Sequence, residues 1–532
     1  MKKLTLVNTY ISLVVLLICL LAACKKDAAP EPPAPIPLQI TSITSMQDTI
    51  GARIIIKGTG FNSTASGNTV KFGTITATVL SATATELTVI VPAGAGGSPI
   101  SVTINGTTVL SQGSFTVIAT QSPLSISGFA PSIIGVGYPV IITGTSFSAD
   151  STQNIVTING VTAKLVSSST TQLVAIVPLT ATTGKIKVTV NAQPVSSVSD
   201  IIIKTLTVTT IAGGKPGQFS DGVGTDANFY GSWGIAVDGD GNYYVADRGN
   251  NRIRKVTPGG VVTTFAGSGV PQTKDGVGIT ASLDQPSAVA FDSQGNLFVS
   301  TLSNIRKITP AAVVSTFAGD PNGNKGYVDA TGTAALFDFP EAMVIDKSDN
   351  IFVIDIGNRR IRKISPAGVV TTFAGTGVGS SVDGTGTAAS LNMGLFAGIC
   401  MDANSNLYVS EDGSNKIRKI TPAAVVTTIA GSGAIGSLDG PALSATFNGP
   451  AGIVADAAGN VYVTEVATQK IRMITANGIV VTLAGNGIQE SKDGVGAFAS
   501  FGSSVSLIMD TNGVIYMIDT YPIAFVRKMV VQ

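Results

Sequence analysis

The sequence predicts an all-β chain with two tandem β-sandwich modules followed by a six-bladed β-propeller. Two observations carry this prediction. Between residues 38 and 204, short β-branched runs alternate apolar and polar residues, and turns rich in Gly, Asn, Ser and Thr separate them. From residue 205 onward, one pattern of four β runs recurs six times. Four-stranded units repeated in this way are typical of a propeller.

Composition limits the functions that this chain can have. Its 532 residues exceed the roughly 250–300 at which a single core stops growing, so two or more domains are expected. The sequence contains no His, which excludes Ser-His-Asp and Cys-His relays and imidazole metal ligands. With 33 basic and 32 acidic residues, the chain lacks the overall positive charge of a nucleic-acid binder. We therefore expect no nucleic-acid partner.

The N-terminus has the features of a targeting segment. Two lysines precede an apolar run over residues 11–21, which is shorter than the roughly 20 residues of a membrane-spanning helix. The run ends in Leu-Ala-Ala-Cys, and small residues directly before a Cys resemble the bacterial lipobox. The resemblance implies a signal peptide over residues 1–23 and a lipid on Cys24. An ordinary secretory signal is the alternative.

Residues 24–37 follow the predicted signal peptide and contain five prolines. Such a density of proline favours an extended linker over a packed element. We expect an outer-membrane lipoprotein of a bacterial cell envelope, which faces the periplasm or the cell surface and contacts the membrane only through its N-terminal lipid.

The two sandwich modules are predicted over residues 38–118 and 124–204. Matching positions lie 86 residues apart and indicate a duplication: Phe61 and Phe147, Leu87 and Leu173, Pro92 and Pro178. The anchors Gly58-Thr59-Gly60-Phe61, Val70-Lys71-Phe72-Gly73 and Val91-Pro92 resemble the IPT/TIG family of immunoglobulin-like domains, although Ser146 replaces the family's Gly in the second copy. The resemblance implies two Ig-like β-sandwiches. We expect them to act as a stalk, since no aromatic or charged cluster marks a binding site.

Residues 205–532 contain one repeated unit. A turn that begins with Asp and leads into an aromatic-Val strand recurs at steps of 54 or 56 residues, at Asp238, Asp292, Asp346, Asp402, Asp456 and Asp510. An Ile-Arg-Lys-type run follows each turn, and a run ending in Ala-Gly follows each of the first five turns. With a sixth Ala-Gly run before the first turn, there are four β runs for each unit. Blades that pack face to face bury both sides of each sheet, which explains why only 12% of the residues are charged.

The order of the motifs predicts how the propeller closes. One Ala-Gly run, ending at Gly213, precedes the first unit, whereas the chain ends just after its last Arg-Lys run. The N-terminal strand must therefore complete the sixth blade. The units resemble NHL repeats over residues 206–532. Relatives in that family include RNA-binding, protein-binding and amidating-lyase propellers, but this chain lacks the basic face of the first and the His of the last, so neither role is expected.

Two sets of acidic residues recur around the predicted ring. The inter-blade loops carry Asp221, Asp275, Asp329, Asp383, Asp439 and Asp493; the second strands end in Asp247, Asp355, Glu411, Glu465 and Asp519, with Thr301 as the sixth member. A calcium site with oxygen ligands is one explanation. Turn formation and backbone hydrogen bonding is the explanation we favour, because a feature present in every blade usually solves a folding problem. We expect no cofactor, with calcium as the alternative.

Positions that differ between blades are better candidates for function. The start of each innermost strand is expected to rim the central channel and holds Trp233, Ser287, Glu341, Ala397, Ala451 and Val505. The inter-blade connections and the turns between second and third strands lie on one face, here called the long-loop face, which also receives Tyr230, Lys325, Tyr327, Phe339 and Tyr521. Aromatic planes beside carboxylates suit sugar recognition. The alternative is that Trp233 only fills space at a blade junction.

Two functions from different classes fit these observations. The first is a lipid-anchored binding protein whose long-loop face recognises a glycan or an envelope protein. The second is a His-free hydrolase or lyase with its site in the channel, for which Glu341 is the clearest candidate acid. A structural adhesin is a third option. We favour the binding protein and expect no catalytic residue.

Overall fold

The computed structural model describes residues 35–118, 122–215, 219–520 and 523–532. The predicted signal peptide, Cys24 and Tyr521 lie outside the described residues. The fold is all-β, as predicted: the described helices are single 3₁₀ turns, and none of them is long and apolar enough to cross a bilayer. The chain divides into two compact units, residues 1–122 and 123–532, each described here by itself.

The first unit is a β-sandwich. One sheet contains Gln39–Ile43, Arg53–Thr59, Glu86–Ile90 and Val79–Ala82, and the other contains Ile75–Ala77, Thr69–Phe72, Ile100–Ile104 and Thr107–Leu110. Gln47–Asp48 pairs in parallel with Thr116–Val117, and Ala65–Gly67 forms a 3₁₀ turn. Alternate residues of each strand point inward, so that Ile54 and Ile56 are buried in the core. Phe72 and Phe115 close the core edge to face, with ring centroids 4.9 Å apart.

The second unit begins with another sandwich. Its strands are Ser125–Ala130, Pro139–Thr145, Gln172–Ile176, Val161–Ser168, Asn154–Ile158, Gly184–Val190, Gln193–Lys204 and Ile133–Gly135, in order of pairing, with a 3₁₀ turn at Ser151–Gln153. Val161–Ser168 is long enough to pair at both of its edges and so joins the two sheets. We call this domain the second sandwich.

Six four-stranded blades follow. The innermost strands are Ile235–Val237, Val289–Phe291, Pro340–Ile345, Ile399–Met401, Pro450–Ala455 and Ser504–Met509. The second strands are Tyr243–Asp247, Leu297–Ser300, Ile351–Asp355, Leu407–Glu411, Val461–Glu465 and Ile515–Asp519. The third strands are Arg252–Val256, Ile305–Ile308, Arg360–Ile364, Lys416–Ile420, Lys470–Ile474 and Phe525–Val531. The outer strands are Val261–Ala266, Val313–Ala318, Val370–Ala374, Val425–Ala430, Ile479–Ala484 and, for the sixth blade, Leu206–Gly213.

Short elements finish the outer edges of the blades. Two-residue strands pair with the outer strands at Gly222–Val223, Gly276–Val277, Gly384–Thr385, Gly440–Pro441 and Gly494–Val495. The 3₁₀ turns lie at Gly224–Asp226, Arg248–Asn250, Gly278–Thr280, Gly332–Ala334, Gly386–Ala388 and Gly496–Phe498. The blades pack on one another through their apolar faces: Tyr244 of the first blade shares a cluster with Leu297 and Val299 of the second.

The closure predicted from the motif order is confirmed. Leu206–Gly213 pairs antiparallel with Phe525–Val531, with Thr207 opposite Val530, and it supplies the outer strand of the sixth blade. Backbone hydrogen bonds in both directions between Thr205 and Gln532 extend the pairing by one residue. Strands from the two ends of the propeller thus seal the ring without a covalent link.

The second sandwich packs directly on the fifth and sixth blades. The Tyr138 hydroxyl donates to the Gly485 carbonyl at 2.6 Å, and the Ala497 N–H donates to the Val136 carbonyl at 3.1 Å. Gly135 permits this contact, because a Cβ there would lie 2.9 Å from the Leu483 carbonyl oxygen. The second sandwich is therefore held against the propeller where the ring closes, a contact that the stalk interpretation did not anticipate.

Candidate functional site

An arginine of each third strand is fully buried inside its blade. The six are Arg254, Arg306, Arg362, Arg418, Arg472 and Arg527. In the third blade, Arg362 donates through Nη1 to Asp355 at 2.8 Å and through Nη2 to Asp329 at 2.6 Å. The same guanidinium also donates to two inter-blade carbonyls. The arginines therefore engage both sets of recurring acids, which supports the folding explanation for those acids.

Burial shifts the pKa of three of the acids that end the second strands. Burial raises the pKa of Asp355 to about 6, against the opposing effect of hydrogen bonds from Asn358, the Asp338 N–H and Arg362. Burial also raises the pKa of Asp247 and of Asp519. Among the residues that the structure describes, no group of three or more Asp, Glu or Cys side chains is arranged to hold a metal ion.

The second blade departs from this pattern. Thr301 replaces the buried acid, and its hydroxyl donates to the Asn304 side chain at 2.8 Å. Arg306 keeps Asp275, 2.6 Å from Nη2, as its one carboxylate partner. Desolvation lowers the pKa of Arg306, although Asp275 opposes this. Arg306 thus remains buried with a single carboxylate partner, Asp275, whose side chain is itself exposed to water.

The Asp-initiated turns are closed by their own side chains. In the first blade, Asp238 Oδ1 accepts the N–H groups of Asp240 and Asn242 at 3.0 and 2.8 Å. Equivalent bonds recur in the other blades, for example from Asn350 to Asp346. These bonds explain why each turn begins with Asp: its side chain closes the hairpin, as the sequence predicted.

The innermost strands surround a central channel with a cavity of about 390 Å³. Trp233 lies at its long-loop end and stacks on Phe396 of the opposite blade, with ring centroids 5.7 Å apart and planes 12° apart. The Arg248 guanidinium lies 4.8 Å from the centre of the Trp233 ring. Val466 and Val505 pack into the same apolar cluster. Side chains from four blades therefore close this end of the channel.

Glu341 forms a buried ion pair beside Trp233. Both of its carboxylate oxygens lie 3.0 Å from Arg248 Nη1, which reaches from the first blade to the third. Burial raises the pKa of Glu341, while Arg248, a hydrogen bond from Ser287 and the charge of Lys325 oppose the shift. This ion pair is not part of the repeated Arg network, because both of its positions vary between blades.

Phe339 adopts a left-handed backbone conformation with a φ of 53°. The equivalent positions of three other blades adopt the same conformation: Gly231 in the first and Gly449 in the fifth, without steric cost, and Gln285 in the second, with a φ of 47°. Lys325 Nζ lies 3.0 Å from the centre of the Phe339 ring, a cation–π contact. The Lys325 ammonium also lies 3.8 Å from Asp338. The left-handed turn is therefore common to four blades, and the large aromatic side chain at it is particular to the third.

The two predicted tyrosines within the described residues lie further out on the long-loop face. Tyr230 is 64% exposed and lies beside Gly249, next to Arg248. Tyr327 stacks on Arg360, 4.0 Å from the ring centre, and its hydroxyl bonds to Thr372 of an outer strand. The structure therefore brings Trp233, Glu341, Lys325 and Phe339 towards the channel end and places Tyr327 on the blade flank.

Sequence reasoning missed three residues of this end. They are Arg248, Phe396 and Asp412, whose carboxylate accepts the Phe396 N–H at 3.1 Å and so holds the backbone of that loop. A signal for two of them was present. The position directly after the second strand's acid varies between blades, as Arg248, Leu302, Ile356, Asp412, Val466 and Thr520. No such signal was present for Phe396, because the loop before the innermost strand of the fourth blade differs in length from the corresponding loops of the other blades.

These features define the class of protein: an all-β chain of Ig-like domains and a six-bladed propeller whose long-loop face carries a non-repeated cluster. The family model of the IPT/TIG domain matches residues 38–117 and 124–202, and that of the NHL repeat matches residues 229–256. The chain thus contains two IPT/TIG domains and, in the first blade of its propeller, an NHL repeat.

Comparison with individual proteins adds partial similarities. The chain is 33% identical over 119 residues to Protein SUPPRESSOR OF QUENCHING 1, chloroplastic, of Arabidopsis thaliana, a match that covers 20% of this chain and 11% of that protein. A Bacteroides thetaiotaomicron structural genomics protein of unknown function aligns over 77% of this chain and 98% of its own, with 19% identity and a TM-score of 0.49. An auxiliary nutrient binding protein of the same organism aligns over 77% and 98%, with 16% identity and a TM-score of 0.45.

Proposed function

We propose that the protein is a binding protein of the bacterial cell envelope that holds a glycan on the long-loop face of its propeller, around Phe339. The observation that carries this proposal is the aromatic ring of Phe339 at a position with a φ of 53°, where the first and fifth blades have Gly and the second has Gln285. Such strain costs of order 1–3 kcal/mol and persists only where the surroundings hold it. A phenylalanine retained despite this cost is expected to have a function, and stacking of its ring against a pyranose is one that fits an aromatic side chain.

The neighbours of Phe339 supply the polar side of such a site. Lys325 and Asp338 offer hydrogen-bond donors and acceptors of the kind that sugar hydroxyls need. Trp233 contributes less than the sequence alone indicated, because two side chains, Phe396 and Arg248, lie against its ring, whereas Phe339 has one such neighbour, Lys325. We therefore place the stacking surface at Phe339 and assign Trp233 to the closure of the channel.

The test is a glycan array followed by calorimetry on the best glycan, with the wild-type protein and Phe339→Gly. Because Gly adopts the left-handed conformation freely, this variant removes the ring without adding backbone strain, and circular dichroism checks that it folds. Ala312→Gly is the matched control, since Ala312 has a φ of 60° at a turn on the opposite face.

We expect Phe339→Gly to weaken glycan binding at least tenfold and Ala312→Gly to leave it unchanged. Equal affinities of wild type and Phe339→Gly would refute the assignment of the site. If the array gives no glycan and a partner protein is captured from envelope extracts instead, the glycan part of the proposal is wrong.

We further propose that a lipid on Cys24 anchors the protein, as the lipobox resemblance implies. Expression in a bacterial host with an alkyne-bearing fatty acid tests this directly. The wild-type chain should incorporate the label and fractionate with membranes, whereas Cys24→Ala should do neither. Label retained by Cys24→Ala would contradict the anchor.

A further inference from the structure

The two ends of the propeller channel differ. At the long-loop end the channel is closed, since Ser287, Glu341 and Ala451 are each no more than 3% exposed. At the other end, which we call the short-loop end because it carries the Asp-initiated hairpins, six residues are partly exposed: Val237, Phe291, Ile345, Met401, Ala455 and Met509. A molecule that enters the channel therefore enters from the short-loop end.

The lining of the channel is suited to an uncharged molecule. All six side chains of the short-loop end are apolar, although they occupy equivalent positions of six different blades. Glu341 is the only carboxylate among the described residues that line the cavity, and Arg248 neutralises it at the closed end. A charged ligand would lose its hydration on entering and find no free counter-charge among the described residues that line the channel.

Polar groups in the channel come mainly from the backbone. Each innermost strand pairs with the second strand along one edge and with no strand along the other, in the described sheets. That other edge borders the channel, so its N–H and C=O groups can reach a ligand, apart from the Ala451 and Ser504 carbonyls, which accept hydrogen bonds from Ser410 and Thr464 of the preceding blades. An apolar wall with a few fixed hydrogen-bonding groups is the usual make-up of a small-molecule site, and the cavity of about 390 Å³ lies within the size range of such sites.

We infer that the channel is a second binding site, which takes a neutral small molecule with an apolar body and one or more hydrogen-bonding groups, and that this molecule enters from the short-loop end. This site is distinct from the glycan surface proposed around Phe339, which lies at the opposite end of the channel. The two proposals do not depend on each other.

The chain contains a built-in reporter for this site. Trp233 is its single Trp, and it lines the closed end of the channel. The neutral apolar dye N-phenyl-1-naphthylamine absorbs where Trp emits and brightens in apolar surroundings. Dye bound in the channel should therefore quench the Trp233 emission while its own emission rises, with the same saturating dependence on dye concentration.

Variants of the entrance decide whether the dye is in the channel. Met401→Lys and Ile345→Lys each place a charge at the short-loop end, where a long flexible side chain can keep its ammonium in water. Val277→Lys is the matched control, because Val277 is 55% exposed on the outer edge of the second blade. We expect each entrance variant to weaken dye binding at least tenfold and the control to bind as the wild type does.

Three results would overturn the inference: no saturable binding of the dye, dye binding that leaves the Trp233 emission unchanged, or equal weakening by Val277→Lys and the entrance variants. Circular dichroism of each variant provides a check on folding. If one entrance variant fails to fold, the other carries the test.

Discussion

Replacement of Arg362 by Met is the sharpest test of how the blades are held together. Arg362 is fully buried. It pairs with Asp355, which is equally buried, and with Asp329, and it also donates hydrogen bonds to two carbonyls. Met fills most of the volume but leaves the Asp355 carboxylate without its cation. Removing one partner of a buried ion pair costs about 3–5 kcal/mol, so we expect the free energy of unfolding to fall by that amount at pH 7.

The second blade provides a matched control for this experiment. Arg306→Met leaves no buried acid behind, because Thr301 stands at that position and the remaining partner, Asp275, is 59% exposed and can be hydrated. Its main cost is one charged hydrogen bond to the Ser282 carbonyl, which keeps the Lys274 N–H as a second donor at 3.3 Å, and we expect a loss of about 1.5–3 kcal/mol. Urea denaturation followed by Trp233 emission measures both variants. Equal losses for the two variants would refute the reasoning.

The pH dependence of the Arg362→Met variant gives a second check. Burial already raises the pKa of Asp355 to about 6 in the presence of Arg362, and loss of the arginine raises it further. A folded-state pKa above the unfolded value means that the folded state gains stability as pH falls through this range. The deficit of Arg362→Met should therefore shrink between pH 7 and pH 5, whereas that of Arg306→Met should stay constant.

Three further predictions concern other parts of the molecule. Gly135→Val should separate the second sandwich from the propeller and speed proteolysis between them, whereas Gly128→Ala, whose added Cβ meets no atom closer than 3.5 Å, should not. Trp233 emission should titrate with a midpoint above the ordinary Glu pKa of 4.5, because burial raises the pKa of Glu341, and Glu341→Gln should abolish the titration. Ala312→Gly should stabilise the protein by about 0.5–1 kcal/mol by relieving a left-handed conformation, as measured by urea denaturation.

Repetition explains why so much of the fold was predictable. Six copies of each motif reveal the strand order of a blade, and the unmatched run ending at Gly213 is enough to predict the shared sixth blade. Comparison of copies also separates folding from function. Acids present in nearly every blade proved to be partners of the buried arginines, as the pairing of Asp355 with Arg362 shows.

The same comparison could not reveal contacts between non-equivalent positions. Trp233 contacts Phe396 across the channel, and Arg248 pairs with Glu341 two blades away. The two residues of each pair occupy non-equivalent positions of different blades, so no repeated sequence spacing predicts the contact. The docking of the second sandwich through Gly135 and Tyr138 is likewise a contact between surfaces that do not repeat. Such contacts depend on how blades and domains are arranged in three dimensions. Sequence patterns describe single strands and turns, so they do not predict these contacts.

The shared sixth blade also determines the order in which the protein can be completed. Thr207 pairs with Val530, so the first propeller strand has no partner on that edge until the end of the chain has been synthesised. During that interval the Leu206–Gly213 strand presents open backbone hydrogen-bonding groups, the kind of edge that draws chains into aggregates. A chain truncated before Phe525 would keep this edge open permanently. The last residues of this sequence therefore protect the strand at which the propeller begins.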